Sequence, residues 1–306
     1  MGHDLALSVI IPCLNGEATL AQQLDALAAQ QWKHPWELVI VDNGSTDKSV
    51  EIARQYAVVF SHFQILDASA RKGGSYAINR GMDAAMSDYL AVCDADDEVE
   101  IGWVASMGEA LQVHDIVCGK FRFNKFNDPR TAQASAEAWK DGLYTGRFLP
   151  GGGSGNFGVR RALHERVGGF DECLPHAYDA DYFWRIQLEG FALHYVPEAE
   201  IQIRIARVNP SLRSIYYRSK NRFASNYWCY KRYRVHGMLA PPSLRGSIVQ
   251  LFRTIKAGVR VHWSTHLSRD SWLRRFAQQA GELVGQVQGR LTNPCKPYWP
   301  GQNIKV

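Results

Sequence analysis

The chain has 306 residues, 46% of them hydrophobic, and a net charge of +5. That composition excludes disorder as the default and leaves room for one large α/β domain with an appendage, or two small domains. The charge is uneven: residues 1–203 hold 16 Lys and Arg against 28 Asp and Glu, whereas residues 204–306 hold 19 against only Asp270 and Glu282. A division into 1–203 and a basic, mostly helical 204–306 is therefore expected.

The first buried strand is predicted at Leu7–Pro12, followed by a helix capped by Asn15 with Leu20, Leu24 and Leu27 on its apolar face. A second strand at Glu37–Asp42 runs into the turn Asn43-Gly44-Ser45-Thr46-Asp47, where Thr46 or Asp47 caps the next helix. A strand near Phe63–Leu66, a glycine turn at Gly73-Gly74 and a helix from about Ser75 to Met86 precede the apolar run Tyr89–Cys93. Beyond it come a helix near 102–113, a strand at Ile116–Phe123, an irregular stretch at 124–150 and the flexible Gly151–Gly155 loop. A strand at Asn156–Val159, a short helix, a helix at about Ala180–Glu189 and a last strand at Ala192–Val196 complete the alternation. This order predicts an α/β fold, a mainly parallel sheet with helices on both faces.

After residue 204 the texture changes. Residues 211–236 read as a helix dense in Arg, Lys and Tyr. Past Pro241-Pro242, Leu244, Ile248, Leu251, Phe252, Ile255, Val259 and Trp263 form a stripe along a second helix, flanked by Arg245, Arg253, Lys256 and Arg260. A third helix is expected near 270–290. An anionic membrane surface, nucleic acid and the acidic first domain all fit such a tail. The six cysteines show no C-x-x-C pair and read as reduced residues of a cytosolic protein. No signal peptide, myristoylation site or membrane-spanning run is visible, so the expected location is cytoplasmic and peripheral to the membrane.

The most informative segment is Cys93-Asp94-Ala95-Asp96-Asp97, an apolar strand ending in three carboxylates. Strand ends are where open α/β sheets bind ligands. Crowded carboxylates call for protons or a hard cation, here Mg²⁺ or Mn²⁺ shared with substrate phosphates. The alternative is a solvated acidic turn. Asp42, at the neighbouring strand end, suits a base N–H or simply nucleates its turn. Dinucleotide, P-loop and G-x-S-x-G motifs are absent, so hydride transfer, P-loop ATP use and esterase chemistry drop out.

Taken together, Ser8–Pro12, Val41–Asp47, Gly73 with Ala77 and Asn79, Asp94-Ala95-Asp96, Gly155-Asn156 and Gly168–Glu172 resemble family 2 glycosyltransferases of the GT-A fold over about residues 7–200. The resemblance implies an inverting, non-processive transfer of one sugar from a nucleotide-sugar, UDP-linked by preference with GDP- and dTDP-sugars as alternatives. The acceptor would be a glycan or lipid-linked molecule of cell-envelope or polysaccharide biosynthesis, and lipid-linked acceptors make an anionic membrane surface the preferred partner of residues 204–306, with no nucleic acid expected. Asp42 would pair with the base, and Pro12, Asn15, Glu17, Gly44, Gly73, Asn79, Asp94 and Ala95 would line the nucleotide site. Asp96, with Asp94, would hold the metal. Gly153, Gly155, Asn156, Asp181 and Trp184 would meet sugar or acceptor, Trp184 being equally suited to the core. Asp179 would be the base, although Tyr178 stands where the family commonly has Glu. Arg71 and Ile78 are further departures. A sugar-phosphate nucleotidyltransferase lacks its Gly- and Arg-rich loop here, and a non-catalytic sugar- or membrane-binding module is the remaining alternative.

Overall fold

The structure, a computed structural model, describes residues 5–205, 210–260 and 266–293. Residues 5–172 and 178–205 belong to one compact unit, and residues 173–177 and 210–293 to a second.

The first unit runs β1 (Leu7–Cys13), α1 (Leu20–Ala28), β2 (Trp36–Asp42), α2 (Ser49–Gln55), β3 (Phe63–Asp67), α3 (Gly74–Ala84), β4 (Tyr89–Cys93) and β5 (Glu98–Val99). It continues with α4 (Trp103–Val113), β6 (Ile116–Arg122), α5 (Pro129–Ala138), β7 (Asn156–Arg160), α6 (Arg161–Arg166), α7 (Tyr178–Leu188) and β8 (His194–Gln202). The strands form one sheet in the order β3-β2-β1-β4-β7-β6-β8-β5. β3, β2, β1 and β4 are parallel, whereas β7 is antiparallel to both its neighbours.

Alternation along β1 explains the two layers of core. Leu7, Val9 and Ile11 pack with Leu20, Leu24 and Leu27 of α1 and Trp103, Val104 and Met107 of α4 on one face. Ile10 points the other way, into a layer with Ala77, Ile78 and Met82 of α3 and Tyr182, Phe183 and Ile186 of α7. Burial on both faces is why the central strands read as unbroken apolar runs.

Several expectations are corrected. Asn15 caps no helix, because α1 begins only at Leu20 and Asn15 adopts a left-handed conformation (φ 54°). Part of the stretch expected to be irregular is α5, whose Asp128 accepts hydrogen bonds from Arg130 N and Thr131 N beside Pro129. That helix buries none of its residues, so no apolar period announced it. β8 extends to Gln202, where Glu198 and Glu200 alternate with the buried Ala199 and Ile201 and leave no apolar run to mark the strand, and the two-residue β5 pairs with it. Cys173 is disulfide-bonded, against the expectation of six reduced cysteines. Spacing alone does not reveal pairing. Cys13, Cys93, Cys118 and Cys229 are buried thiols, and Cys295 lies outside the described residues, as does Trp263.

The second unit holds α8 (Leu212–Tyr233), α9 (Leu244–Arg260) and α10 (His266–Leu291). Gly281, Gly285 and Gly289 recur every fourth residue on α10, and a β-carbon on any of them would strike the α8 backbone at Tyr216, Lys220 or Ala224. The two helices are thus held at the close approach that small residues permit.

Candidate active site

Parallel pairing of β1 with β2 and β4 brings the ends of all three to one edge of the sheet. There the loop after β1 and the loop after β2 hold each other through hydrogen bonds. Thr46 N donates to Asn15 Oδ1 (2.8 Å), Asn15 N to Ser45 Oγ (3.0 Å) and Glu17 N to Asp47 Oδ2 (2.9 Å). Asp42 sits half-buried between them and accepts from Ser45 N (3.1 Å), so it does shape its turn. Gly44 (φ 84°) makes that turn possible.

Asn43, to which the sequence assigns only a place in the turn, is buried and organises the next loop. Its Nδ2 donates to the carbonyls of Ala68 and Arg71, both at 2.7 Å, and its Oδ1 accepts from Gly73 N at 2.8 Å. An Asn beside a turn is too common to signal this. Asn79, expected near the nucleotide, clamps the 170–172 segment. It donates to Phe170 O and Glu172 Oε1 and accepts from Phe170 N. Arg71 pairs with the same Glu172 at 2.5 Å.

After β4, Asp94, Asp96 and Asp97 each offer a carboxylate oxygen, and these oxygens lie within 4.8 Å of one another. Asp97 is buried and accepts a hydrogen bond from Arg204 N at 2.9 Å. Burial, and next the Asp94 charge, push its carboxyl up to about 8, against that hydrogen bond. Such crowding fits a divalent cation, whose charge relieves the repulsion, and the all-oxygen donor set suits Mg²⁺ or Mn²⁺. Asp97 thus joins the two carboxylates singled out by spacing. Gln23 pins the loop from below, its Nε2 donating to Asp94 O and its Oε1 accepting from Val99 N. Ala95 turns its side chain into the core, leaving its backbone to this edge.

The 149–155 segment connects this cluster to α7. Gly155 lies directly against Asp94. At the other end Leu149 O accepts from Trp184 Nε1 and Pro150 O from Gln187 Nε2, both at 2.8 Å. Asp179 stands half-buried in the first turn of α7, its Oδ1 accepting from Ala180 N. Burial raises its pKa above the ordinary carboxylate value, opposed by that hydrogen bond. A partly buried carboxylate of raised pKa is equipped for proton transfer to or from a ligand that reaches it.

Residues 8–168, more than half of the chain, match the profile of glycosyl transferase family 2. The chain belongs to that family. It is 44% identical over 99 residues to the uncharacterized glycosyltransferase YibD of Escherichia coli, a match covering 32% of this chain and only 28% of that relative. It is 33% identical over 196 residues to the glycosyltransferase AglE of Haloferax volcanii, covering 62% of this chain and 64% of AglE. The mannosyltransferase PcManGT of Pyrobaculum calidifontis, solved with GDP-Man and Mn²⁺, shares the fold at a TM-score of 0.59 and 17% identity, over 94% of this chain and 88% of that one. Both curated matches span less than two thirds of the relative's own length, and the shared fold is GT-A with a helical C-terminal extension.

Three residues expected at the sugar or acceptor are absorbed into the framework of this transferase. Asn156 is fully buried, donating to Lys120 O and Ala199 O and accepting from Trp103 Nε1. Asp181 is fully buried in an ion pair with Arg185 (2.9 Å), which also donates to the carbonyls of Val167 and Gly169. Trp184 packs edge-on against Phe148, the core alternative left open by the sequence. The alternation along β7 and the turn of α7 point all three inward, and the Asp181–Arg185 pair is the i,i+4 pairing their spacing permits. Gly153 lies against Phe121, with no room for a side chain. Tyr178 places its hydroxyl against Gly74 at the start of α3. Pro12 lies in β1, paired with Val41. His194 stacks on His114 at 3.6 Å at the far edge of the sheet. A cleft of about 500 Å³ at that same far edge, lined by Trp32, Trp36 and Phe60, is remote from the carboxylates.

Proposed function

We propose that the protein transfers one sugar from a nucleotide-sugar to a hydroxyl of a glycan or lipid-linked acceptor, with inversion, in cell-envelope or polysaccharide assembly. The observation that carries this reading is the carboxylate cluster at the end of β4, joined by the 149–155 segment to the helix that bears Asp179. Asp42, with the backbone of the loops after β1 and β2, would receive the nucleoside. A UDP-sugar is the preferred donor. Structures sharing the fold include PcManGT with GDP-Man and a mycobacterial glucosyl-3-phosphoglycerate synthase with UDP and Mn²⁺ (TM-score 0.50), so both nucleotides belong in any donor panel.

Asp94, Asp96 and Asp97 would hold Mn²⁺ or Mg²⁺, which when bound supplies positive charge to the departing diphosphate. Asp179 would take the acceptor's proton as its oxygen bonds to the anomeric carbon from the face opposite the leaving group. The bond from that carbon to the diphosphate oxygen breaks, and the nucleotide leaves as a diphosphate. A single displacement of this kind inverts the centre.

Residues 204–306 would keep the enzyme at an anionic membrane surface, on the cytoplasmic face. No described helix is long and apolar enough to cross a membrane. The disulfide at Cys173 is the observation that argues for an oxidising compartment instead. Thiol titration of protein isolated without reductant decides between the two.

The reading is tested by Asp96→Ala. Donor-dependent turnover should fall by roughly a thousandfold while the far-UV spectrum and melting behaviour of the metal-free protein are retained. Unchanged turnover would remove the metal assignment.

A further inference from the structure

In a water-soluble helical unit, the apolar stripe of each helix faces its neighbours. α9 is reversed. Its small polar residues Ser247 and Thr254 are the buried ones, each 5% exposed. Ser247 Oγ donates to Glu282 Oε1 of α10 (2.6 Å) and accepts from Gln286 Nε2 (2.6 Å), while Thr254 O accepts from Trp272 Nε1 (2.7 Å). Ile248, Val249, Phe252 and Ile255 point outward, Phe252 at 60% exposure. Arg245, Arg253 and Lys256 are exposed on the same side.

We propose that this outer face of α9 is the part of the chain that enters an anionic lipid surface, lying in the plane of the bilayer. The four apolar side chains would replace headgroup water with acyl chain, and the three cations would meet lipid phosphates. The inference deepens the membrane reading of residues 204–306 given above and rests on it. Charge argues for an anionic occupant and against a second copy. Both acidic residues of residues 204–306 are engaged within the unit, Asp270 with Arg274 (2.5 Å) and Glu282 with Ser247. A second copy docked through α9 would set cations against cations, whereas an anionic bilayer complements them. The glycine-lined contact of α10 with α8 shows close backbone approach inside unit two, whose buried aromatics Tyr227, Trp228 and Tyr233 lie on α8 rather than on α9.

The test is flotation of the full chain with phosphatidylcholine vesicles, with and without roughly 30 mol% phosphatidylglycerol. The native chain should float with the anionic vesicles, and added salt should weaken this. Combined Arg245→Gln, Arg253→Gln and Lys256→Gln changes should lower partitioning roughly a hundredfold. Combined Ile248→Gln and Phe252→Gln changes should lower it at least roughly tenfold. All five positions are exposed, and circular dichroism of each variant checks that the helices remain. Equal binding to neutral vesicles, or variants that float like the native chain, would overturn the assignment of α9. So would light scattering in which Phe252→Gln converts a dimer to a monomer, because the face would then join two copies. If the native chain fails to float at all, the membrane reading of 204–306 falls with it. Sugar transfer to a water-soluble acceptor, measured without vesicles, reports on the transferase reading separately.

Discussion

Gly155 lies so close to Asp94 that no β-carbon fits between them: one built there would stand 2.9 Å from Asp94 Cγ and nearer still to Oδ2. The glycine is therefore required by the carboxylate, whose position depends on the loop passing over it. Gly155→Ala is expected to displace Asp94 by a fraction of an ångström to an ångström and lower turnover by roughly a hundredfold. Metal affinity should weaken with it, while the melting temperature changes little. Steady-state kinetics over a metal titration would check this.

Asp179 sets the expected pH dependence. As a base it acts when ionised, and burial raises its pKa. The rate should therefore rise with pH along a limb that lies above the ordinary carboxylate range. The stability effect has the opposite sense: a raised carboxyl favours the fold below its unfolded pKa, and that contribution is lost as pH rises through the folded value. Asp179→Asn should accordingly abolish turnover and its pH limb without lowering stability at neutral pH. Nucleotide binding should be retained. pH–rate profiles and urea titrations of the pair would show both.

The Asp181–Arg185 pair makes a purely structural prediction. Both side chains are almost wholly buried, and Arg185 holds the carbonyls of Val167 and Gly169 as well. Asp181→Ala leaves a buried guanidinium without its counter-charge and should cost about 3–5 kcal/mol. Restoring neutrality with Arg185→Met in the same chain should recover part of that loss. Equilibrium unfolding in urea is the measurement.

Much of the transferase unit was legible because its chemistry is local in sequence. The apolar runs of β1, β2 and β4, each ending in a polar turn, announce parallel strands and the edge where their ends meet. The acidic triplet is three carboxylates within four residues, so its crowding is visible without coordinates. What stayed hidden depends on direction or on distant partners. Asn43 and Gln23 act by reaching into loops 25 to 76 residues away, which no spacing encodes. Asn156 and Trp184 carry side chains that suit sugars, and only the fold shows that they point into the core, whereas the i,i+4 spacing of Asp181 and Arg185 already allows their pair. In unit two the stripe on α9 was readable from its spacing. That it faces outward, with Ser247 and Thr254 packed inside, was not, because a stripe does not say which side it occupies.

The most direct test of the account is a thermal-shift titration with UDP-, GDP- and dTDP-sugars, with and without Mn²⁺ or Mg²⁺, followed by assay of released nucleotide. A ligand bound only by the native state raises stability by about 2.7 kcal/mol at a hundredfold excess over its dissociation constant. The account predicts that one nucleotide-sugar stabilises the protein only when metal is present, that slow release of its nucleoside diphosphate follows, and that Asp96→Ala loses both. Stabilisation unchanged by metal, or none with any donor under conditions where the protein is folded, would contradict it.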